Sequence, residues 1–162
     1  AALTACSSTN EAVNQALIEG AVGGIVAADC KIGRMTYWAA NATVPVYEIS
    51  FRIVMTNVSS KPVTLSGDNF ATTLDGTPIP PFNFSARDVG DADIWRTYDS
   101  LTIRPGEERS VALAYEISQP TYDSWYKSSR TVAVSFTCGN QRVTYTKNSR
   151  SDEITVSDIE TL

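Results

Sequence analysis

Residues 44–56 read VPVYEISFRIVMT, and this segment decides the fold class of the chain. Every second residue from Tyr47 to Met55 is large and apolar, whereas Glu48, Ser50 and Arg52 lie between them. Successive side chains of a β-strand point to opposite faces of a sheet. The alternation therefore predicts a strand with one face in the core and the other mostly in water.

Two later segments repeat this pattern. Residues 111–117 alternate after the turn Arg104-Pro-Gly-Glu107, and residues 132–138 alternate before Gly139-Asn140, a pair that suits a tight hairpin turn. With the shorter segments, about seven to nine strands follow one another at intervals of roughly 8–12 residues, which is the pattern of a sandwich. We therefore predict an all-β sandwich over residues 30–162, preceded by an N-terminal arm.

Two segments of this domain interrupt the strand pattern. Residues 77–100 hold three prolines and mixed charges, so we expect an irregular crossover between the sheets. Residues 119–129 carry Tyr122, Trp125 and Tyr126 and predict a helical turn or a capping loop.

Composition argues against several classes of function. The net charge is −5, and Lys and Arg are scattered singly, whereas phosphate binding depends on clustered cations. The chain has no histidine, which removes the commonest general base and metal ligand. No apolar run reaches the ~18 residues that span a bilayer. We therefore expect no enzymatic activity, no cofactor, no nucleic-acid partner and no transmembrane segment.

The cysteines and sequons indicate an extracytoplasmic protein. Cys30 and Cys138 lie in strand-like surroundings, and a disulfide between them would contribute about 4–5 kcal/mol by closing a loop near 100 residues. Two buried free thiols are the alternative. Three sequons predict glycosylation, and they begin at Asn41, Asn57 and Asn83.

A resemblance to a known family covers about half of the chain, residues 47–118. The first strand ends in Met55-Thr-Asn-Val-Ser-Ser-Lys-Pro-Val-Thr64, Asn69-Phe70 and Asp75-Gly-Thr77 follow, and Arg104-Pro-Gly-Glu107 leads into Ala112-Leu-Ala-Tyr-Glu-Ile117. In these features the chain resembles the small immunoglobulin-like domains of secreted mycobacterial antigens and many bacterial lipoproteins. The resemblance implies an extracytoplasmic sandwich, often without enzymatic activity, and assigns no functional residue. We expect the sandwich to be immunoglobulin-like or jelly-roll-like.

The leader Leu3-Thr-Ala-Cys6 resembles a lipobox, in which a small residue before cysteine allows lipidation and cleavage at that cysteine. The following Ser7-Ser8 suits a flexible tether. A processed lipoprotein would begin at the cysteine, whereas this sequence is numbered from Ala1, so we expect lipidation less than the pattern alone would predict. Only lipidation of Cys6 would give this chain a membrane partner. An intersubunit disulfide and an unpaired thiol are the alternatives for this residue.

Residues 1–29 form the predicted N-terminal arm, and residues 11–29 read EAVNQALIEGAVGGIVAAD. One interpretation is a short amphipathic helix on the domain, although each of its three glycines would cost ~1 kcal/mol in a helix interior. The other is an extended strand over residues 17–28, about 40 Å long, that pairs with the sheet edge of another copy. Such head-to-tail contacts build filaments, and this arrangement resembles donor-strand assembly in surface pili. The assembly residues would be Leu17, Ile18, Val22, Ile25 and Val26.

A group of three aspartates and a group of six aromatic residues could each form a binding site, but another role is favoured for both. Asp88, Asp91 and Asp93 have carboxylates that suit calcium, but their spacing does not match a full calcium loop, so a solvated acidic loop is favoured. An aromatic platform for sugars is also conceivable, although core packing or loop capping is favoured for aromatic side chains. Its members would be Trp38, Trp95, Trp125, Tyr98, Tyr122 and Tyr126.

Two functions compete on these observations. The first is a non-enzymatic extracellular filament subunit that polymerises through its N-terminal arm with copies of itself. The second is a lipid-anchored envelope protein that displays an immunoglobulin-like binding domain. An enzyme ranks third, because no nucleophile or phosphate-loop motif is present and no carboxylate pair stands out.

Overall fold

The computed structural model of this chain describes residues 20–88 and 95–162. Within them, strands form two antiparallel sheets of a sandwich and a small two-stranded sheet, which confirms the predicted all-β class. The strands are β1 (Ile25–Tyr37), β2 (Val46–Asn57), β3 (Val63–Leu65), β4 (Phe70–Leu74), β5 (Thr77–Ile79), β6 (Asn83–Asp88), β7 (Arg96–Thr97), β8 (Leu101–Ile103), β9 (Glu108–Glu116), β10 (Thr131–Cys138), β11 (Gln141–Asn148), β12 (Ile154–Val156) and β13 (Glu160–Thr161). A 3₁₀ turn covers Gly67–Asn69, and a short helix, α1, covers Gln119–Asp123.

The two large sheets differ in strand order. The front sheet runs β1-β2-β9-β6-β7, and the back sheet runs β12-β11-β10-β4-β5, with β13 also paired to β11. Strands β3 and β8 pair with each other separately. Neither helical segment in the described part of the chain has the length and apolar character needed to cross a membrane.

The core lies between the front and back sheets and follows the alternation of the sequence. Ile49, Phe51, Ile53 and Met55 of β2 are at most 2% exposed, and they face the alternating residues of β10 and β11. Phe51 lies 5.8 Å from Tyr145 between ring centroids, and Phe70 lies 5.1 Å from Phe136. Burial of such side chains contributes about 1.5–3 kcal/mol each, so these strands supply much of the stability.

The sandwich begins before Cys30, so the predicted boundary between arm and domain is wrong. Strand β1 starts at Ile25 and pairs with β2 from Ile25↔Asn57 onward. Val22 is 3% exposed and Ile25 is 1% exposed, both within the core of their own chain. Val26 pairs with Thr56 of the same sheet. These three residues are therefore not donor residues for a neighbouring copy, whereas Leu17 and Ile18 lie outside the described residues.

A tight turn carries the chain into β1. Val22 and Ile25 exchange backbone hydrogen bonds of 2.9 and 3.0 Å across Gly23 and Gly24, whose φ angles are 56° and 84°. A Cβ on Gly23 would lie 2.5 Å from the Cys138 Sγ. Glycine is required here both by the left-handed backbone and by this close approach.

A bulge divides β1 into two parts. The register with β2 shifts between Ala28 and Lys31, and Asp29 has a φ of 51°. Two consecutive residues, Asp29 and Cys30, occupy the bulge, so Ala27 and Ile32 both face the core although five positions separate them. The bulge therefore corrects an apolar pattern that does not follow strict period two.

The predicted Cys30–Cys138 disulfide is wrong. Cys138 ends β10 beside the entry turn, where its Sγ lies 3.8 Å from the Gly23 carbonyl oxygen. Cys30 lies five residues beyond Ile25 along β1, which is roughly 16 Å at about 3.3 Å per residue. A disulfide needs Cα atoms within about 7 Å. Both cysteines are buried, and the structure does not join them.

The described parts of residues 77–100, namely 77–88 and 95–100, hold more regular structure than the expected irregular crossover. They include β5, β6 and β7, and β6 pairs with β9 from Asn83↔Ala114 onward. Phe84 and Ala86 are buried on the core face of β6. Pro80 and Pro81 lie between β5 and β6, where they interrupt no ladder.

Candidate ligand-binding trough

A trough runs across the outer face of the front sheet, where the side chains that point away from the core lie. The cross-strand register aligns these side chains in rows, such as Met35–Glu48–Glu116 and Gly33–Ser50–Ala114–Asn83. A neighbouring row, Lys31–Arg52–Ala112–Ser85, follows at the next outward position of each strand. The trough has a volume of about 310 Å³. Its lining residues are Met35, Tyr37, Glu48, Ser50, Arg52, Asn83, Ser85, Trp95, Ala112, Leu113 and Ala114.

Small side chains form the floor of the trough. Ser50, Ala112, Ala114 and Ser85 occupy central outward positions of three adjacent strands. Long polar side chains usually cover the outer face of such a sheet, but these four side chains are too short to cover it. They leave a depression that is lined with hydroxyl and methyl groups and is bounded at both ends by larger residues.

Glu48 forms one end of the trough and is almost completely buried. Its residue is 3% exposed although it lies on the outer face, and its cross-strand neighbour in β9 is Glu116. Burial raises the pKa of the Glu48 carboxyl, and the charge of Glu116 raises it further. No cation pairs with Glu48 within the described ranges. A buried carboxylate without a positive partner is unfavourable, and perturbed acids in clefts mark candidate functional sites.

Tyr37 stands at the same end. Burial raises the pKa of the Tyr37 hydroxyl, and Glu48 and Glu116 raise it further through their negative charges. The hydroxyl therefore stays protonated at neutral pH. This end of the trough combines an aromatic ring with two carboxylates.

Arg52 and Trp95 form the opposite end. The Arg52 guanidinium lies 5.5 Å from the centroid of the Trp95 ring, and that of Arg87 lies 5.0 Å from it. Arg52 is exposed and makes no ion pair with a carboxylate of the described residues. Cation–π contact holds the guanidinium against the ring while its donors remain available. The two ends of the trough therefore carry opposite charge.

The predicted glycosylation sites differ strongly in access. Asn57 is wholly buried, and its side-chain Nδ2 donates to the carbonyl oxygens of Lys61 and Ile103 at 2.8 Å each. Its Oδ1 accepts a hydrogen bond of 2.9 Å from the backbone of Ser59. Burial and these hydrogen bonds argue against a glycan on the Asn57 amide nitrogen. Asn41 is exposed, whereas Asn83 is half-buried in the trough and accepts a hydrogen bond from Thr97.

The predicted calcium and lipid sites lie outside the described residues. Asp91, Asp93 and Cys6 fall in the undescribed segments, and the side chain of Asp88 does so too. Among the described residues, no group of three His, Cys, Asp or Glu side chains is placed to hold a metal ion.

The six aromatic residues of the considered sugar platform do not form one surface. Trp125 is buried in the core at 1% exposure, and Trp38 is 63% exposed. The Tyr122 ring centroid lies 4.9 Å from that of Tyr47 with a tilt of 53°, and the Arg34 guanidinium lies 4.3 Å from it, so Tyr122 packs against residues of β1 and β2. Of the six, only Trp95 lines the trough.

Sequence reasoning missed the pair formed by Glu48 and Glu116. The alternation of β2 places Glu48 on the outer face, and the alternation of β9 does the same for Glu116. Their adjacency depends on the pairing register Glu48↔Glu116, which sequence patterns do not reveal. The available signal was the presence of two acids at outward positions of two strands that the alternation predicts.

Comparisons with known proteins add little to this geometry. No family model and no curated protein matches the chain. A protein of known structure from Archaeoglobus fulgidus is similar at 13% identity, with a TM-score of 0.35, over 81% of this chain and 94% of that one. A functionally unknown protein from Listeria monocytogenes EGD-e is similar at 12% identity, with a TM-score of 0.37, over 72% of this chain and 78% of that one.

Proposed function

We propose that this chain is a non-enzymatic binding domain that takes a small ligand in the trough of its front sheet. The observation that carries the proposal is Glu48, a carboxylate that is 3% exposed, lines the trough and has no cation beside it in the described part of the chain. Its burial is unfavourable for folding, and a bound ligand with a positive group would offset that cost. Binding sites retain such groups at the expense of stability.

An extracytoplasmic location and an immunoglobulin-like affiliation belong to the same proposal. The support for them is the lipobox-like sequence around Cys6, the exposed sequon at Asn41 and the sequence resemblance over residues 47–118. Neither a Cys30–Cys138 disulfide nor Asn57 contributes to this support. In a lipid-anchored protein, the trough would be displayed at the cell surface.

The proposal is tested by NMR with fragment probes. Acetate, methylammonium and methyl glucoside are titrated separately into isotopically labelled protein. We expect the amide shifts that change to cluster at Ser50, Ala112, Ala114 and Asn83 for at least one probe.

Matched variants localise the effect. Ala114→Trp fills the floor of the trough and is expected to abolish the shifts, whereas Thr155→Trp places the same side chain on exposed β12 and should preserve them. Changes that are scattered over the surface, or that persist in Ala114→Trp, would contradict a binding role for the trough.

A filament subunit is the second candidate, and the free edge of β1 favours it. Among the described residues, β1 pairs only with β2, so its other edge can accept a strand of a neighbouring copy. Donor residues of the arm would then be Leu17 and Ile18. A chain that begins at Gly20 should remain monomeric if this is correct, and filaments seen by electron microscopy after that deletion would reject donor-strand assembly.

A further inference from the structure

We infer that the ligand of the trough is a short zwitterionic peptide, bound with its amino group at Glu48 and its carboxylate at Arg52. The inference rests on the proposed binding function and names the class of ligand. Glu48 and Arg52 both project from the outer face of β2 and line the same trough. Opposite charges at the two ends of one depression match a molecule that carries complementary charges at its own ends.

The acidic end suits an organic ammonium group. Glu48 and Glu116 are cross-strand neighbours, and residues directly opposed in a sheet have Cβ atoms about 4.5–5.5 Å apart. An ammonium group would offset the burial of the Glu48 carboxylate and its repulsion by Glu116, which in that order raise the pKa of Glu48. Tyr37 adds an aromatic wall, and ammonium groups bind favourably against aromatic faces. The titratable groups that line this end are Tyr37 from β1 and Glu48 from β2, with Glu116 of β9 beside them.

The basic end suits a carboxylate. The Arg52 guanidinium presents paired N–H donors that match the two oxygens of a carboxylate. Trp95 limits the freedom of this side chain, since the ring centroid lies 5.5 Å from the guanidinium carbon. Less conformational entropy is then lost when the anion binds.

The spacing of the two ends selects the length of the ligand. Glu48 and Arg52 are four residues apart on one strand, which is roughly 13 Å at about 3.3 Å per residue. An extended peptide of three or four residues spans a similar distance between its termini. Ser50, Ser85 and Asn83 lie between the ends and provide donors and acceptors for peptide groups. A trough of about 310 Å³ accommodates such a peptide when its side chains are small.

A neutral sugar fits this arrangement less well. It carries no positive group for the buried Glu48 carboxylate. Two guanidinium groups also lie against the Trp95 ring, at 5.0 and 5.5 Å, and they compete with sugar stacking on that ring. The peptide accounts for both charged ends, whereas the sugar accounts for neither.

Blocked and unblocked peptides test this inference in the full chain. Trialanine, its N-acetyl form, its C-terminal amide and the doubly blocked form are titrated by calorimetry and NMR. We expect trialanine to bind in the trough and each block to weaken binding by about tenfold or more, because each removes a charge-assisted contact. In Glu48→Gln, N-acetylation of the peptide should no longer weaken binding, whereas C-terminal amidation still should. In Arg52→Gln, amidation should no longer weaken binding, whereas acetylation still should.

Two control variants change the net charge equally without touching the trough. Glu153→Gln and Arg104→Gln alter exposed side chains elsewhere and should leave all four affinities unchanged. Equal binding of the four peptides, or preferential binding of methyl glucoside, would overturn the peptide assignment while leaving the trough as a binding site. If no peptide and no fragment perturbs the trough, both the assignment and the proposed binding function are wrong.

Discussion

Asn57 is wholly buried and connects three segments that are distant in sequence. Its side chain donates to the carbonyl oxygens of Lys61 and Ile103 at 2.8 Å each, and its own carbonyl oxygen accepts 2.7 Å from the Gly106 N–H. The side-chain amide of Asn57 thus connects the turn after β2 with the end of β8, and its backbone carbonyl holds the turn before β9. A residue with the sequence signature of a glycan acceptor is therefore a structural element of the interior.

At this residue, Asn57→Ala is expected to destabilise the fold by about 1–3 kcal/mol, because the buried bond to the Ile103 carbonyl and the half-buried bond to the Lys61 carbonyl are both lost. The exposed Asn140→Ala, at a residue whose φ is not positive, is the control and should change stability by no more than about 0.5 kcal/mol. Urea denaturation measures both values. Similar stabilities of the two variants would show that the Asn57 hydrogen bonds contribute little.

Glu48 makes stability depend on pH in a defined direction. Its folded pKa is raised above the unfolded value near 4.3, so the folded state binds the proton more tightly. The contribution of Glu48 to stability is then complete below the unfolded pKa and is lost as the pH rises through the folded pKa. A neutral isostere at this position removes that loss.

We therefore expect Glu48→Gln to gain stability relative to the natural chain as the pH rises from about 4 to 7. Denaturant unfolding at several pH values measures the difference, with Glu153→Gln as a control for a carboxylate that is exposed. A constant difference between the Glu48 variant and the natural chain across this range would rule out the proposed linkage.

At the scale of elements, the entry turn and the bulge determine how β1 joins the sandwich. The turn at Gly23-Gly24 brings the chain against Cys138 and Gln141, whose side chain accepts a hydrogen bond of 3.0 Å from the Gly23 N–H. The bulge at Asp29 then restores the core-facing phase of the strand. Both features depend on backbone conformations that few residues adopt without strain.

Gly23→Ala is expected to destabilise the fold by about 1–3 kcal/mol more than Gly76→Ala. Both glycines have positive φ, at 56° and 84°, so the backbone strain of substitution is similar. Only at Gly23 would the added Cβ overlap a neighbour, whereas none lies within 4 Å at Gly76. Thermal unfolding measures both variants. Equal destabilisation would mean that the backbone of the entry turn shifts to accommodate the added methyl group.

The sequence predicted those elements whose apolar residues follow strict alternation. Strands β2, β9 and β10 and the hairpin at Gly139-Asn140 agree with the structure, because each strand has one face in the core. β1 was predicted only in part, as the end of an extended arm that pairs with another copy, because glycines precede it and a bulge interrupts its alternation. The trough was missed for another reason: its parts are outward residues of four strands and one loop, and only the register brings them together.

At the scale of the whole molecule, Val22 and the first half of β1 complete the core of their own chain. Val22, Ile25 and Ala27 are all buried and close the edge of the front sheet beside β2. Burial of Val22 and Ile25 alone contributes about 1.5–3 kcal/mol per side chain, a large part of the stability of an ordinary domain. A domain that starts at Cys30 would lack these side chains.

We expect a chain that begins at Asp29 to be unfolded or to lose most of its stability, whereas one that begins at Gly20 keeps its cooperative unfolding. Circular dichroism and thermal unfolding distinguish the two forms. Native-like unfolding of the shorter chain would place the true start of the domain after the bulge and return residues 22–28 to a role in assembly.

The Cys138 thiol lies against the entry turn, so its reactivity reports whether that turn is in place. Cys138 is 8% exposed, and burial raises the pKa of its thiol. An alkylating reagent reaches the Cys138 sulfur only when the backbone at Gly23 moves away from it. The rate at which Cys138 is alkylated at fixed pH therefore measures how often the entry turn opens, and no added label is needed.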